Sequence, residues 1–227
     1  MRKRSSTLLN VERTVYSGCV KTNTNEWHSV AQRIQAIAQT GLAYATSPYD
    51  TDRYQELSTI AASMIAGPEP QKIALAVELF AVQHGYATPR VDVRAAVFRE
   101  HRLLLVRERA DGLWTLPGGW AEVGQSAAES VEREVLEESG YIVRAVKLLA
   151  CWDRNRHPHP PIPVHAYKLL FRCELLGGAA TASTETTEAD FFAEDQIPPL
   201  SLTRILPEQI GFVFQHLRDP DAPTAFD

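Results

Sequence analysis

The fold is decided by residues 118–140, which read GGWAEVGQSAAESVEREVLEESG. Two adjacent glycines at the start predict a tight backbone bend, and the glycine at the end predicts the stop of a helix. Between them the spacing predicts a short helix that presents Glu134, Glu137 and Glu138 within an arc of roughly 100°. The adjacent apolar stripe predicts the face that packs on a core, and it consists of Ala128, Val131 and Val135.

Three carboxylates this close together repel one another, which is unfavourable for an isolated helix. A divalent cation bound between them would remove that conflict, and oxygen ligands at this density are typical of Mg²⁺ or Mn²⁺ sites. The alternative interpretation is a glutamate-rich surface that contacts only water. The metal site is favoured by Pro117 and the glycines, which form a bend that a ligand can approach, and by the fixed charge of Arg133.

This stretch resembles the Nudix box, the loop-helix motif of the Nudix hydrolases, written G-x5-E-x7-R-E-U-x-E-E-x-G-U with U an aliphatic residue. Two positions depart from the motif: Gln125 replaces the first glutamate, and Tyr141 stands where an aliphatic residue is usual. The positions that match at the required spacing are Gly119, Arg133, Glu134, Val135, Glu137, Glu138 and Gly140.

The resemblance implies a metal-dependent hydrolase with an α/β (α+β) fold, an αβα sandwich around a mixed sheet. It also implies that Glu134, Glu137, Glu138 and the Gly118 carbonyl bind Mg²⁺ or Mn²⁺, and that Arg133 orients these ligands. Because the ligand positions are intact despite the glutamine at position 125, we expect the chain to be active.

Further segments sharpen the resemblance, namely residues 84–94, 114–120 and 137–141. With a helical segment before them, they are similar to a Nudix subfamily that hydrolyses nucleoside diphosphates linked to another moiety, and the resemblance extends from about Asn25 onward. CDP-choline and ADP-ribose are the leading substrates that it implies. The alternatives are nucleotide sugars, nucleoside triphosphates, capped RNA ends, and a Nudix domain that has lost catalysis and senses a ligand.

Roles in the reaction follow from position and charge. Like charges raise the pKa of a carboxyl group, so Glu134 is our first candidate for the general base. The alternative is Glu188 or Glu185, from the loop predicted before Phe191. The predicted substrate-binding residues are Arg107, Arg109, Trp120, Asp153 and Arg154.

Other residues admit two interpretations. Trp114 and Trp152 offer, like Trp120, a face on which a base can stack, but core packing explains them equally well. His157, His159 and His165 lie in a proline-rich loop, and their spacing is poor for a preformed metal site.

The N-terminal half has the periodicity of helices. Asn25 is predicted to cap a helix that carries Trp27 to Ala38, a second helix runs from about Thr51 to Gly67, and a third opens at Pro70. Because a unit of this size buries little apolar area by itself, we expect it to pack on another part of the protein and to mediate a homodimer. The predicted organisation is a flexible leader at 1–24, a helical domain at 25–86 and a Nudix domain at 87–222.

From residue 90 the period changes to two, as in β-strands. Val91 to Val97 alternate with polar residues, and residues 103–106 form the next strand after a turn at 99–102. Longer strands are predicted at 142–152 and 164–176, with a short one at 191–192. A last helix begins near Pro207.

The composition limits the class of protein. A length of 227 residues with 44% hydrophobic residues suits a globular protein, and the net charge of -5 argues against nucleic acid as the main partner. Cys19, Cys151 and Cys173 share no metal-ligand spacing, which favours a reducing compartment. No run of about 20 apolar residues is present, so a cytoplasmic location without membrane contact is expected. The small nucleotide substrate is what the resemblance implies.

Overall fold

The computed structural model describes residues 24–81 and 83–227, and only the backbone at Thr24 and Asn25. Residues 1–23 of the predicted leader, which include Cys19, lie outside the described residues. Three helices come first, and their bounds are α1 (Thr24–Tyr44), α2 (Pro48–Ala66) and α3 (Pro70–Ala81). The predicted helical N-terminal region is therefore confirmed.

Two helix starts differ from the prediction. The first turn of α1 already includes Asn25, so this residue is not the cap. Helix α2 begins at Pro48 rather than Thr51, because proline fits the first turn of a helix, where its missing N–H is not needed.

Helices α2 and α3 share a small core of Ala61, Ala62, Ala76 and Phe80, and Ile34 of α1 packs against it. At Gly41, α1 comes so close to α2 that an added Cβ would lie 2.3 Å from the ring of Tyr54. Several large apolar side chains of the helices remain exposed all the same, among them Trp27, Ile37 and Leu75. The helices thus leave apolar surface that their own packing does not cover.

The rest of the chain forms a seven-stranded mixed sheet. Its strands are β1 (Arg90–Arg99), β2 (Arg102–Glu108), β3 (Trp114–Thr115), β4 (Tyr141–Asp153), β5 (Ala166–Gly178), β6 (Thr186–Phe192) and β7 (Ala225–Phe226). Their order in the sheet is β3-β2-β1-β5-β4-β7, with β6 paired to β2. Strand β1 runs antiparallel to β2 and parallel to β5. A helix packs on each face, α4 (Ala127–Ser139) and α5 (Pro207–Arg218), which confirms the predicted sandwich.

Three strands extend the predicted sheet. Strand β6 occupies Thr186–Phe192, so the segment predicted as a loop before Phe191 is a strand. Its polar residues pair with β2, and a β-strand needs no apolar run when cross-strand partners bond its backbone. The two-residue strands β3 and β7 are too short for a periodic signal, and β7 pairs with β4 beyond residue 222.

Two polar residues in the middle of β1 do not face water. Val93, Ala95 and Val97 pack against α4, as the alternation predicts, but Asp92 and Arg94 on the opposite face are also buried. They are buried because Lys168 of β5 donates a hydrogen bond to Asp92, whose Oδ1 also lies 3.0 Å from Arg94 Nε. Both faces of β1 are therefore buried at these residues.

This buried network is held by opposite charges. Burial acts to raise the pKa of Asp92, but Arg94 and Lys168 outweigh it, so the pKa lies below its usual value. Burial lowers the pKa of Lys168 to about 8, against the attraction of Asp92. Lys168 Nζ also donates to the Arg204 carbonyl at 2.8 Å, which ties the sheet to the segment before α5.

Among the described helices, none has the length and apolar character needed to cross a membrane.

Replacing Asp92 by alanine should destabilise the fold by about 3–5 kcal/mol, because it leaves two buried cations without their counter-ion. Urea denaturation of the wild type and the variant measures the difference. Asp50→Ala is the matched control: it breaks an exposed pair with Arg53 and should cost less than about 1 kcal/mol. Equal losses for the two variants would contradict a structural role for the buried network.

Candidate active site

Helix α4 begins with a reciprocal cap. The Glu129 N–H donates to Ser126 Oγ at 3.2 Å, and the Ser126 N–H donates to Glu129 Oε2 at 2.7 Å. At the other end Gly140 has a φ of 75°, the left-handed conformation that ends helices, and its N–H bonds to the Leu136 carbonyl. Both ends of the helix are thus fixed by residues of the motif itself.

The buried face of α4 carries Val131 and Val135, which pack on Val93 and Val97 of β1. In place of the predicted Ala128, Ala127 joins this cluster. The helix is therefore held against the sheet next to the glycine bend.

The bend itself runs beside β1 as an extra hydrogen-bonded segment. The Ala95 N–H donates to the Pro117 carbonyl at 2.9 Å, and the Val93 N–H donates to the Gly119 carbonyl at 2.8 Å. Gly118 has a φ of 140°, and a Cβ there would lie 2.0 Å from the Val93 carbonyl oxygen. Only glycine fits at this position.

Each glycine of the bend meets one glutamate of α4. The Gly118 N–H donates to Glu138 Oε2 at 2.8 Å, in a buried position. A Cβ on Gly119 would lie 2.9 Å from Glu134 Oε2, so the carboxylate occupies the space that a side chain would fill. The missing side chains are thus what lets the helix place two carboxyl groups against the backbone.

Burial raises the pKa of Glu138 to about 8. The charge of Arg94 and the bond from Gly118 act in the opposite direction, while Glu108 and Glu134 add to the rise. At neutral pH this carboxyl group is therefore mostly protonated unless a further positive charge comes to it.

Burial also raises the pKa of Glu134, although Arg133 acts to lower it. Arg133 lies between two of the glutamates: its guanidinium is 2.8 Å from Glu134 Oε1 and 2.6 Å from Glu137 Oε2. Glu137 is the exposed member of the set, with 56% of its side chain accessible. Arg133 thus orients and partly neutralises the pair.

Gln125, the departure from the motif, contacts this same arginine. Arg133 Nε donates to Gln125 Oε1 at 3.2 Å, and the Ser130 hydroxyl donates to the same oxygen at 3.2 Å. The amide therefore keeps the acceptor that a glutamate would supply, and it removes one negative charge from the cluster.

The donor set suits a hard divalent cation, because carboxylates and a backbone carbonyl are the ligands such ions prefer. Glu138 in particular is a buried acid with no full counter-ion of its own. Within the described residues no three metal-binding side chains are already gathered into a cluster. In this structure Arg133 and the Gly118 N–H bind the carboxylates instead.

Two predicted residues form a separate pair. Arg107 of β2 and Glu188 of β6 are opposite each other, with 2.7 Å between the guanidinium and the carboxylate. The neighbouring Arg109 donates two bonds to the Ser183 carbonyl. Both arginines thus hold β2 and the segment around β6 together.

Trp120 follows the bend and is 42% exposed. The guanidinium carbon of Arg90 lies 5.6 Å from the centre of its ring. Trp114 and Trp152, by contrast, pack in the core against Phe192 and Phe212. The structure leaves Trp120 as the tryptophan of the three that can meet a ligand.

Asp153 ends β4 and Arg154 begins the loop that follows, but their side chains lie in different surroundings. Asp153 Oδ1 lies 2.9 Å from His165 Nε2 and faces a cavity. Arg154 is buried and donates to the carbonyls of Pro160 and Thr203. Arg154 therefore supports the loop from behind, while Asp153 is accessible to a small molecule.

Arg94 and Glu108 are charged residues near the site that the sequence analysis does not single out. Arg94 attracts Glu138, and its NH1 donates to the Leu116 carbonyl at 3.1 Å, just before the bend. Glu108 is buried and paired with Arg204 at 2.8 Å. Their position within apolar strands was the sequence signal that could have found them. A charged residue in such a strand is buried only when it has a partner of opposite charge.

Replacing Gly118 by alanine should destabilise the protein by more than about 2 kcal/mol, because the methyl group would overlap the Val93 carbonyl in a strained conformation. Thermal and urea unfolding measure the loss. The control is Gly177→Ala, whose added Cβ would meet no atom within 4 Å. A Gly118 variant as stable as this control would contradict the close approach of the bend to β1.

Comparison with known proteins agrees with this geometry. Residues 25–81 match the family model of a UDP-X-like, N-terminal oligomerisation domain, and residues 88–212 match the NUDIX domain. A Bacillus subtilis (strain 168) protein named "Putative ADP-ribose pyrophosphatase YjhB" is 47% identical over 202 residues, 89% of this chain and 97% of that protein.

Two solved structures are also similar. A UDP-X diphosphatase is 32% identical, covers 91% of this chain and 100% of its own, and has a TM-score of 0.58. An ADP-ribose pyrophosphatase from Streptococcus suis 89-1591 is 41% identical, covers 62% of this chain and 100% of its own, and has a TM-score of 0.57. The chain belongs to the Nudix hydrolase family, enzymes that act on phosphoric anhydrides.

Proposed function

We propose that this enzyme hydrolyses a nucleoside diphosphate linked to another moiety, giving a nucleoside monophosphate and the phosphorylated moiety. The observation that carries the proposal is the pair of glutamates, Glu134 and Glu138, held against the double-glycine bend. The names of the similar proteins, which refer to ADP-ribose and to UDP-X, support the same substrate class.

Nudix hydrolases generally need a divalent metal, and we infer Mg²⁺ or Mn²⁺ for this one. Glu134, Glu137, Glu138 and the Gly118 carbonyl would hold it. When bound, such an ion neutralises charge on the diphosphate and lowers the pKa of a water molecule. Because Glu138 must lose its proton to bind a cation, we expect metal affinity to rise with pH.

Residues of the chain are proposed to take up the proton of the attacking water. Glu134 is the proposed general base, since burial raises its pKa toward the working range while Arg133 keeps its carboxylate oriented. The alternative base remains Glu188, or Glu185, which lies just before β6. Glu188 is more exposed than Glu134, and it forms an ion pair with Arg107 that would have to open.

Substrate contacts are proposed on both sides of the bend. Trp120 offers an aromatic face to a base, and Asp153 faces the cavity beside the helical domain. Arg107 and Arg109 are proposed to meet the phosphates, in competition with their present partners. Arg154 acts as a support for the loop that follows Asp153.

The helical N-terminal domain is proposed to form a homodimer. It leaves Trp27, Ile37 and Leu75 about half exposed, and a second copy of the chain could cover them. The family model that matches this region describes an oligomerisation domain, which supports the same role.

A substrate panel tests the proposed function. With Mg²⁺ or Mn²⁺, the wild type should release AMP from ADP-ribose or CMP from CDP-choline. The Glu138→Gln variant should lose at least about a hundredfold in kcat/KM, because it keeps the size of the side chain but removes the charge. Glu208→Gln, an exposed change in α5, is the matched control and should leave kcat/KM unchanged. A Glu138→Gln variant with wild-type turnover on the best substrate would refute the role of this residue.

A further inference from the structure

A cavity of about 500 Å³ lies between α1 and the Nudix domain. Its walls come from α1, from residues 87–90 at the start of β1, and from residues 153–165 after β4. A volume of this size falls within the range of about 300–1,000 Å³ that is typical of small-molecule sites.

Hydrogen bonds between the two parts of the chain hold the cavity walls in place. Gln32 of α1 donates to the Ile162 carbonyl at 2.7 Å, and its Oε1 accepts from Asn155 Nδ2 at 2.7 Å. Further along α1, Gln39 donates to the Gly85 carbonyl at 3.2 Å. The cavity is thus formed before a ligand arrives, which reduces the entropy that binding must offset.

The polar groups of the cavity suit a phosphorylated sugar. Arg33, Arg90 and Arg156 line the cavity, and guanidinium groups bind phosphate oxygens. Asp153 adds a carboxylate whose bonds to Asn155 and His165 both fall on Oδ1, which leaves Oδ2 to accept a hydrogen bond from a ligand hydroxyl. Sugar hydroxyls need this mixture of acceptors and donors.

The same lining is unsuited to a quaternary ammonium group. Such groups are recognised by cages of aromatic rings. Of the described residues that line the cavity, Phe80 and His165 are those with aromatic rings, and Phe80 is almost fully buried in the helical core.

The cavity adjoins the catalytic bend through one contact. Arg90 lines the cavity, and its guanidinium carbon lies 5.6 Å from the ring centre of Trp120, the residue directly after the two glycines. Arg90 and Trp120 thus connect the cavity to the bend.

We propose that this interdomain cavity binds the sugar phosphate end of the substrate and so selects a sugar over choline as the linked moiety. The inference rests on the proposed function for the position of the diphosphate. It gives the helical domain a second role, since α1 supplies one wall of the substrate site.

Two variants test the cavity without relying on turnover. Ala36→Trp fills it from α1, and Asp153→Asn removes a charge at constant size. Isothermal titration with ribose 5-phosphate should show affinity about tenfold weaker in each variant, the effect of losing one charge-assisted contact. Affinity for AMP should stay unchanged, because the nucleotide end lies outside the cavity.

The control for the bulky change is Ala43→Trp, an exposed position on the same helix outside this cavity. Light scattering on all variants checks that none alters the assembly. The wild type should bind ribose 5-phosphate more tightly than phosphocholine. The proposal would be overturned if both cavity variants bound ribose 5-phosphate as tightly as the wild type. It would also be overturned if the wild type did not bind ribose 5-phosphate, or bound phosphocholine with equal affinity. A wild type that binds ribose 5-phosphate but cleaves no linked diphosphate would instead refute the proposed function alone.

Discussion

The hydrogen bond from the Gly118 N–H to the buried Glu138 carboxyl joins the two halves of the catalytic motif. It fixes α4 against the bend, and it requires a glycine because a side chain at position 118 would overlap β1. The same burial leaves Glu138 with a pKa of about 8, so the group that anchors the helix is also an acid without a full counter-ion. Structure and chemistry thus depend on one contact.

Positively charged residues in and around the motif limit the free-energy cost of placing these carboxylates close together. Arg133 neutralises Glu134 and Glu137 at the surface, and Arg94 acts on Glu138 from the opposite face of β1. Arg94 is itself held by Asp92, which Lys168 also contacts. The buried charges of the sheet therefore form a chain that ends at the candidate metal site, which explains why polar residues occupy a central strand.

The sequence was sufficient to predict what depends on local spacing. The helix of residues 127–139, its stop at Gly140, the glycine bend and the three helices before the sheet all follow from periodicity and special residues. The burial of Asp92 and Arg94 could not be predicted, because it depends on Lys168, which is distant in the chain. Strand β6 was predicted only at residues 191–192 for a similar reason: its polar residues become a strand only through pairing with β2.

The role of individual site residues also depends on such long-range contacts. Asp153 and Arg154 are adjacent in the sequence, yet one faces the interdomain cavity and the other is bonded to the carbonyls of Pro160 and Thr203. Gln125 departs from the motif and still contacts Arg133, as an acceptor without charge. Only the folded arrangement separates a residue that faces the cavity from one that supports its neighbours.

The most direct measurement is the number of protons released when Mn²⁺ binds at pH 7, obtained by calorimetry in buffers of different ionisation enthalpy. If Glu138 is protonated in the metal-free enzyme and binds the cation, the wild type should release about one proton per ion. Glu138→Gln should release none from this group. Manganese binding to the wild type at pH 7 without proton release would contradict the account.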